Sequence, residues 1–391
     1  MRAVRVLTVG NLYPPHDLGG GYEAVWRGAV EHLRAAGHTV RVLTTDHRVA
    51  GAPADDGDVA RELRWYWRDH AFPRRSLLAC ARLERHNARV LAHQLDAFAP
   101  DVVSWWSMGG MSLSLLERVR RRGLPAVAFV HDDWLDYGAR ADCWRRRGLP
   151  PRVDYARAAR YVFVSEATRE RASAAGRQLQ DTGVAHSGID GAFLAPAQQR
   201  AWGWRLLCVG RLDPRKGLDT AIEALGHLPP EAALTIVGAG AERERERLRA
   251  LGGNVTLAGH RSGAALRDAY AEADALVFPV RWEEPWGLVP LEAMGRARPV
   301  IATGRGGSRE YLRDGENCLL FEAGDAAELA AAVRRLAGDA QLRERLVAGG
   351  LATAPRYSAT AFNEAVEREL ERAVRATRPA AYRGAGRRGR P

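Results

Sequence analysis

The sequence predicts an α/β protein of two doubly wound, Rossmann-like domains facing each other across a cleft, and three observations carry that expectation. Short apolar runs alternate with longer amphipathic segments along the chain. This is the rhythm of a parallel sheet whose crossover helices cover both faces. The rhythm falters once, in the polar, proline-containing stretch GIDGAFLAPAQQRAWGW, and then restarts. A chain of 391 residues also exceeds one ordinary domain and suits two or three.

The elements follow in order. VRVLTVG (4–10) reads as a first buried strand. Its opening resembles a signal peptide for a few residues, but glycine, asparagine and a proline pair interrupt it, so an export signal is not expected. The glycine-rich loop GGGYE (19–23) leads into the helical pattern EAVWRGAVEHLRAAG, and HTVRVLTT is the next strand. DVVSWW, PAVAFVH and YVFVSE follow, each separated by helical pattern. Residues 1–190 are read as the first domain and 191–203 as a linker. RLLCVG, ALTIVG, NVTLAG, ALVFPV and PVIATG supply a second sheet within 204–355. Residues 356–377 are expected to form a helix that returns to the first domain, and 378–391 a disordered basic tail.

Composition narrows the class. Hydrophobic residues make up 46% of the chain, enough to fill real cores, yet no run of 18 apolar residues offers a membrane span. Cys80, Cys143, Cys208 and Cys318 show neither CxxC spacing nor paired histidines. A disulfide framework and a zinc site are therefore not expected, and a reducing, cytoplasmic setting is. The net charge of +11 is uneven: residues 1–190 carry 28 arginines against 22 acids, and 378–391 carry five arginines and no acid. Such a surface could attract an acidic acceptor or, weakly, an anionic membrane at its inner face; an arginine-rich genome is the prosaic account. No signature of RNA or DNA binding accompanies the charge, so no nucleic-acid partner is expected.

Of the 58 basic residues, only Lys216 is a lysine, and it lies in VGRLDPRKGLDTA (209–221). Either it is an accident of drift, or the position needs a compact, mobile ammonium where a planar guanidinium fits badly. Two doubly wound domains place a ligand at the carboxyl ends of the strands. The ligand is not read as a nicotinamide, because VGNLYPP lacks GxGxxG and VGAGAERE offers only Gly238 and Gly240. A P-loop is excluded because GRLDPRKG has glycine after the lysine and no Ser or Thr. Further on, Glu284 and Glu292 flank Pro285 and Gly287, and GLVPLEAMGRA reads as a helix beginning near Gly287. Its open amides and dipole would make an anion site facing the cleft. At about 1.5 Å per residue, Glu292 would sit roughly one and a half turns from the tip. A solvated acidic pair around a turn is the bland alternative.

These residues resemble the signature of the retaining GT-B glycosyltransferases, specifically the large family-4 group. The matching positions are Glu284, Gly287, Glu292-Ala-Met, Pro299-Val300 and Gly306-Gly307-Ser-Arg-Glu310, with Trp286 where the family usually has Phe. VGRLDPRKG is similar to the family's G-R-x-x-x-x-K-G, and VFVSEATRE followed by SGID is similar to the segment closing its N-terminal domain. The resemblance implies that Gly210, Arg211 and Lys216 bind the donor diphosphate, which would neutralise the departing nucleotide without a metal or other cofactor. It implies that Glu292 accepts from ribose hydroxyls, that Glu284 contacts the donor sugar, and that amides near Gly287, Leu288 and Val289 meet sugar or phosphate oxygens. Gly20 and Gly21 match the glycine-rich loop after the first strand, Gly238 joins the donor residues, and His131 matches the histidine facing the donor sugar. HDDWLD (131–136) gives adjacent aspartates without a close metal-ligand pattern.

Two features go beyond what the resemblance carries. Trp65, Trp67, Trp105 and Trp106 stand in the half that binds acceptors in this fold, where rings stack on sugars but also fill cores. Arg261, in GHRSGAAL, sits where the nucleotide base usually rests. The expected activity is transfer of a sugar from a nucleotide-diphospho-sugar to a small-molecule, glycan or lipid-linked acceptor hydroxyl. The rivals are a glycoside hydrolase, which has no use for Arg211 and Lys216, a sugar-nucleotide epimerase of the same fold, and a non-catalytic nucleotide-sugar-binding protein.

Overall fold

The computed structural model describes residues 3–16, 20–55, 57–67, 73, 75–141 and 153–377. The basic tail 378–391 and Cys143 lie outside the described residues. Arg5–Val9 (β1), Thr39–Thr45 (β2), Val59–Leu63 (β3), Val102–Trp105 (β4), Ala126–Val130 (β5), Arg160–Phe163 (β6) and Thr182–Val184 (β7) form the first sheet, in the order β3-β2-β1-β4-β5-β6-β7. Every pairing is parallel. The helices around it are Gly21–Ala35 (α1), Leu77–Phe98 (α2), Ser114–Arg121 (α3), Trp134–Ala141 (α4), Tyr155–Ala158 (α5) and Glu166–Ala174 (α6).

The second sheet comprises Arg205–Val209 (β8), Ala233–Val237 (β9), Val255–Gly259 (β10), Ala275–Phe278 (β11), Val300–Ala302 (β12) and Leu319–Leu320 (β13). Its order is β10-β9-β8-β11-β12-β13, again parallel throughout. Leu218–Leu225 (α7), Glu242–Ala250 (α8), Gly263–Glu272 (α9), Leu288–Gly295 (α10), Ala326–Gly338 (α11) and Ala340–Thr353 (α12) surround it, and Ala359–Thr377 (α13) ends the described chain. Strand order reverses between β1 and β4 and again between β8 and β11. Those two points are where an open α/β sheet leaves a crevice beyond its carboxyl ends.

Burial on both faces explains the continuous apolar strands. All residues of β4 and β5 are buried, and β1 sends Leu7 and Val9 to one core layer and Val6 to the other. The sequence reading recovers these strands but not β3, β7 and β13, each of which lies at a sheet edge. Edge strands are covered on fewer sides, so polar residues enter them, as in VAREL, and the apolar run that marks a buried strand is lost.

α13 packs on α1 and on β4 and β5. Its stripe of Phe362, Val366, Leu370 and Val374 joins Trp26, Trp106 and Phe129 in one cluster. Each such side chain contributes about 1.5–3 kcal/mol on burial. The chain passes between the domains twice, and the two passages are tied by Ile189 N–H to Tyr357 O (2.9 Å) and Ala359 N–H to Ile189 O (2.8 Å).

Candidate active site

The loop after β8 is drawn tight against its neighbours. A Cβ on Gly238 would stand 1.7 Å from the Gly210 carbonyl oxygen. Gly217 takes φ 64°, and a Cβ there would lie 2.0 Å from Pro279 O, so only glycine fits. Asp213 caps the short 3-10 turn that carries Lys216 by accepting from Arg215 N–H. This packing delivers Lys216 to Glu284, 68 residues away, with Nζ donating to Oε2 at 2.6 Å. Trp282 Nε1 donates to the same oxygen at 2.7 Å, and the ammonium lies 5.3 Å from the centroid of that indole. Arg211, at the end of β8, makes no hydrogen bond or ion pair among the described residues. One phosphate candidate is thus uncommitted, while the other is parked on a carboxylate.

α10 begins after Gly287, whose φ is 87°, so the amides of Leu288 and Val289 open its first turn. Glu292, one turn in, accepts from Tyr270 Oη at 2.6 Å. Burial raises its carboxyl to about 7, and the Tyr270 hydrogen bond only partly offsets this. The tip of α1 lies opposite: a Cβ on Gly21 would be 3.8 Å from Leu288 Cδ1. Gly20 caps α1, and Glu23 fills the space a side chain there would need. Arg261 stands beyond the carboxyl end of β10, the same end of the sheet as Gly210 and Gly238.

His131 closes β5. Its ring stacks on Trp106 (centroids 5.3 Å apart, 16°), meets Phe362 of α13 edge-on at 5.7 Å, and lies 6.3 Å from Tyr22. Nε2 is 3.0 Å from Ser187 Oγ. Burial lowers its pKa to about 4, with a contact to the Phe129 backbone opposing, so the imidazole is neutral at ordinary pH. Trp105 and Trp106 are core residues, 0% and 1% exposed, whereas Trp65 and Trp67 remain partly exposed.

The domains meet through the motif segments themselves. Ser165 Oγ donates to Pro285 O (2.6 Å), and Arg171 Nη1 donates to Glu283 O (2.9 Å). Trp286 Nε1 donates to Ser187 O at 2.8 Å, a bond that the family's usual Phe could not make. His186 stacks on Trp286 at 4.4 Å and bonds Glu310 Oε2 at 3.0 Å, while Ala167 N–H donates to Glu310 Oε1. Burial pushes the Glu310 carboxyl up, but His186 and the amides of Ala167 and Glu166 outweigh it and hold the group below its ordinary value. Sequence reasoning missed Trp282, Tyr270 and His186, which carry no motif and act through partners distant in the chain.

His38, Glu367 and Glu371 have the spacing of a metal site, but they lie at the end of the first sheet opposite the cleft. His38 Nδ1 accepts from Val4 N–H at 3.1 Å, so its proton sits on Nε2 and goes to Glu367. That tautomer suits a clasp between the α1–β2 turn and α13 and offers no lone pair to an ion. No helix among the described residues is long and apolar enough to cross a membrane.

Comparison with known proteins agrees with this arrangement. The family described as Glycosyltransferase Family 4 matches residues 19–193, and that described as Glycosyl transferases group 1 matches residues 203–339. The phosphatidyl-myo-inositol mannosyltransferase of Mycobacterium leprae is 36% identical over 160 residues, 40% of this chain and 43% of that relative. The chain thus spans less than half the length of the curated relatives it first matches. Sucrose-phosphate synthase from Thermosynechococcus elongatus aligns with a TM-score of 0.78 at 20% identity, covering 96% of this chain and 100% of that one. Anabaena HepE, in complex with UDP and glucose, aligns at 0.71 and 19%, covering 94% and 99%. Two doubly wound domains facing across a cleft are thus the GT-B fold. The chain belongs to the family-4 type of GT-B glycosyltransferases.

Proposed function

We propose that this protein is a retaining glycosyltransferase that moves a sugar from a nucleotide-diphospho-sugar to an acceptor hydroxyl in the cytoplasm, without a metal. The observation that carries the reading is the Lys216–Glu284 pair at 2.6 Å, set at the carboxyl end of the second sheet near Arg211, whose guanidinium makes no hydrogen bond or ion pair among the described residues. A donor diphosphate would draw Lys216 off Glu284 and freshly engage Arg211. The two cations then neutralise charge growing on the departing phosphate, and the Glu284 so released is free to accept a donor-sugar hydroxyl. Amides at the start of α10 meet phosphate or sugar oxygens, and Glu292 accepts from the ribose. Neutral His131 faces the sugar as a hydrogen-bonding group. The acceptor hydroxyl attacks on the face from which the nucleotide leaves, and the leaving phosphate takes its proton.

HepE's complex with UDP and glucose supports a nucleotide-sugar donor for a chain of this fold. The cations at Arg211 and Lys216 distinguish the reading from hydrolysis. Incubation with a panel of nucleotide sugars, with and without candidate acceptors, should release nucleoside diphosphate, and the anomeric configuration of any glycoside product reads out retention. Turnover should persist in EDTA. Activity lost to EDTA and restored by magnesium or manganese would overturn the metal-free mechanism.

A further inference from the structure

We propose that Asp132 receives a hydroxyl of a saccharide acceptor whose ring lies on the Trp65–Trp67 pair. This rests on the glycosyltransferase reading and names the acceptor class that the donor half leaves open. Asp132 directly follows His131 at the carboxyl end of β5 and is only partly buried. Its Oδ2 accepts from Tyr137 Oη at 2.8 Å, and its Oδ1 accepts from Trp134 N–H at 3.2 Å. These donors engage two of the roughly four acceptor sites a carboxylate offers, leaving room for a ligand hydroxyl.

Two glycines join this carboxylate to the indoles. A Cβ on Gly109 would stand 2.2 Å from Tyr137 Oη, and one on Gly110 would stand 2.2 Å from Trp65 Nε1 and 2.9 Å from Trp67 Cβ. Trp65 Nε1 donates to Gly109 O at 2.9 Å. The Trp65 and Trp67 rings stack with centroids 4.7 Å apart at 29°. Asp132, Tyr137, the glycine pair and the two indoles therefore form one continuous wall beside His131.

The chemistry of that wall selects a sugar. Trp26, Trp105, Trp106 and Trp134 are wholly buried and fill the core, whereas Trp65 and Trp67 keep exposed surface. An indole offers an apolar face to the C–H side of a pyranose, and a carboxylate is a strong acceptor for its hydroxyls. A saccharide uses both at once; an alkyl chain would bury the carboxylate's remaining acceptor positions without a donor. Burial raises the Asp132 carboxyl to about 6, against the hydrogen bonds from Tyr137 and the Trp134 amide.

The test is saturation-transfer NMR on the full chain with methyl glycosides of glucose, mannose, galactose and N-acetylglucosamine, in the presence of UDP, GDP or ADP. Calorimetry of the same nucleotides runs in parallel. At least one glycoside should bind, and Asp132→Asn and Trp67→Ala should each weaken it at least about tenfold, the scale of one charge-assisted contact. Nucleoside diphosphate binding should stay unchanged in both variants, which also certifies their fold. Glycoside binding that neither substitution alters overturns the proposal, as does a wild type that binds nucleotide but no glycoside. A wild type that binds none of the three nucleotides overturns the glycosyltransferase reading itself, and this proposal with it.

Discussion

The two walls of the cleft are built from different materials. The wall from the second domain is charged and glycine-rich: Arg211, Lys216, Glu284 and Glu292 are presented by tight turns and a helix tip. The wall from the first domain is largely aromatic, with His131 held between Trp106 and Phe362 and Asp132 held by Tyr137. A diphosphate is the same in every nucleotide sugar and is recognised by charge at fixed points, which a short motif can supply. Acceptors differ in shape, and a surface assembled from several packed segments is suited to reading shape. The contrast also assigns α13 a place: a helix at the end of the described chain completes the aromatic wall.

The sharpest way to break the comparison is at Lys216. Lys216→Ala should lower kcat/KM by roughly 30- to several-thousand-fold, from the loss of a desolvated charge-assisted contact worth about 2–5 kcal/mol. Lys216→Arg keeps the charge and should still lose most activity while remaining folded. The guanidinium must fit beside Gly217, over Trp282 and against Glu284, and it cannot rotate its donors as an ammonium does. Parent-like turnover by the arginine variant would reduce the single lysine to an accident.

The aromatic wall should fail differently. Phe362→Ala removes a buried ring from the cluster around Trp106, at a cost of about 3–5 kcal/mol in stability. Denaturant unfolding reads that loss, and the surviving folded fraction should bind nucleoside diphosphate normally. Weakened nucleotide binding by that fraction would mean the two walls are not separate in function.

Glu292 sharpens the charged side. Its folded pKa of about 7 exceeds the ordinary 4.5. Between those values the folded state keeps a proton the unfolded state has lost, so this group costs stability as pH rises through that window. A ribose needs the ionised acceptor, so nucleotide affinity should run the other way. It should fall by up to about tenfold per pH unit below 7, and Glu292→Gln should flatten the slope. An equal slope in wild type and variant would place the titration elsewhere. The smallest effect belongs to the basic tail: truncation after Thr377 should leave turnover on a soluble acceptor nearly intact. A large loss would make the tail part of the catalytic fold.

What the sequence determined by itself is the material whose cause is local. Nine buried strands were legible because burial on both faces demands an unbroken apolar run, and the edge strand β10 was legible too because it keeps an apolar run. The start of α10 at Gly287, and the pattern of Arg211, Lys216, Glu284 and Glu292, were legible because a glycine turn and a helix tip are built from adjacent residues. Only the tertiary structure decided that Lys216 rests on Glu284 and over the Trp282 ring, that Tyr270 holds Glu292, and that Trp286 reaches Ser187. It also decided which tryptophans are core and which keep exposed surface, and that Tyr137 and a glycine pair tie Asp132 to Trp65. Those contacts join residues far apart in the chain, and their partners are set by how crossover connections stack strand ends. No window of sequence contains that information.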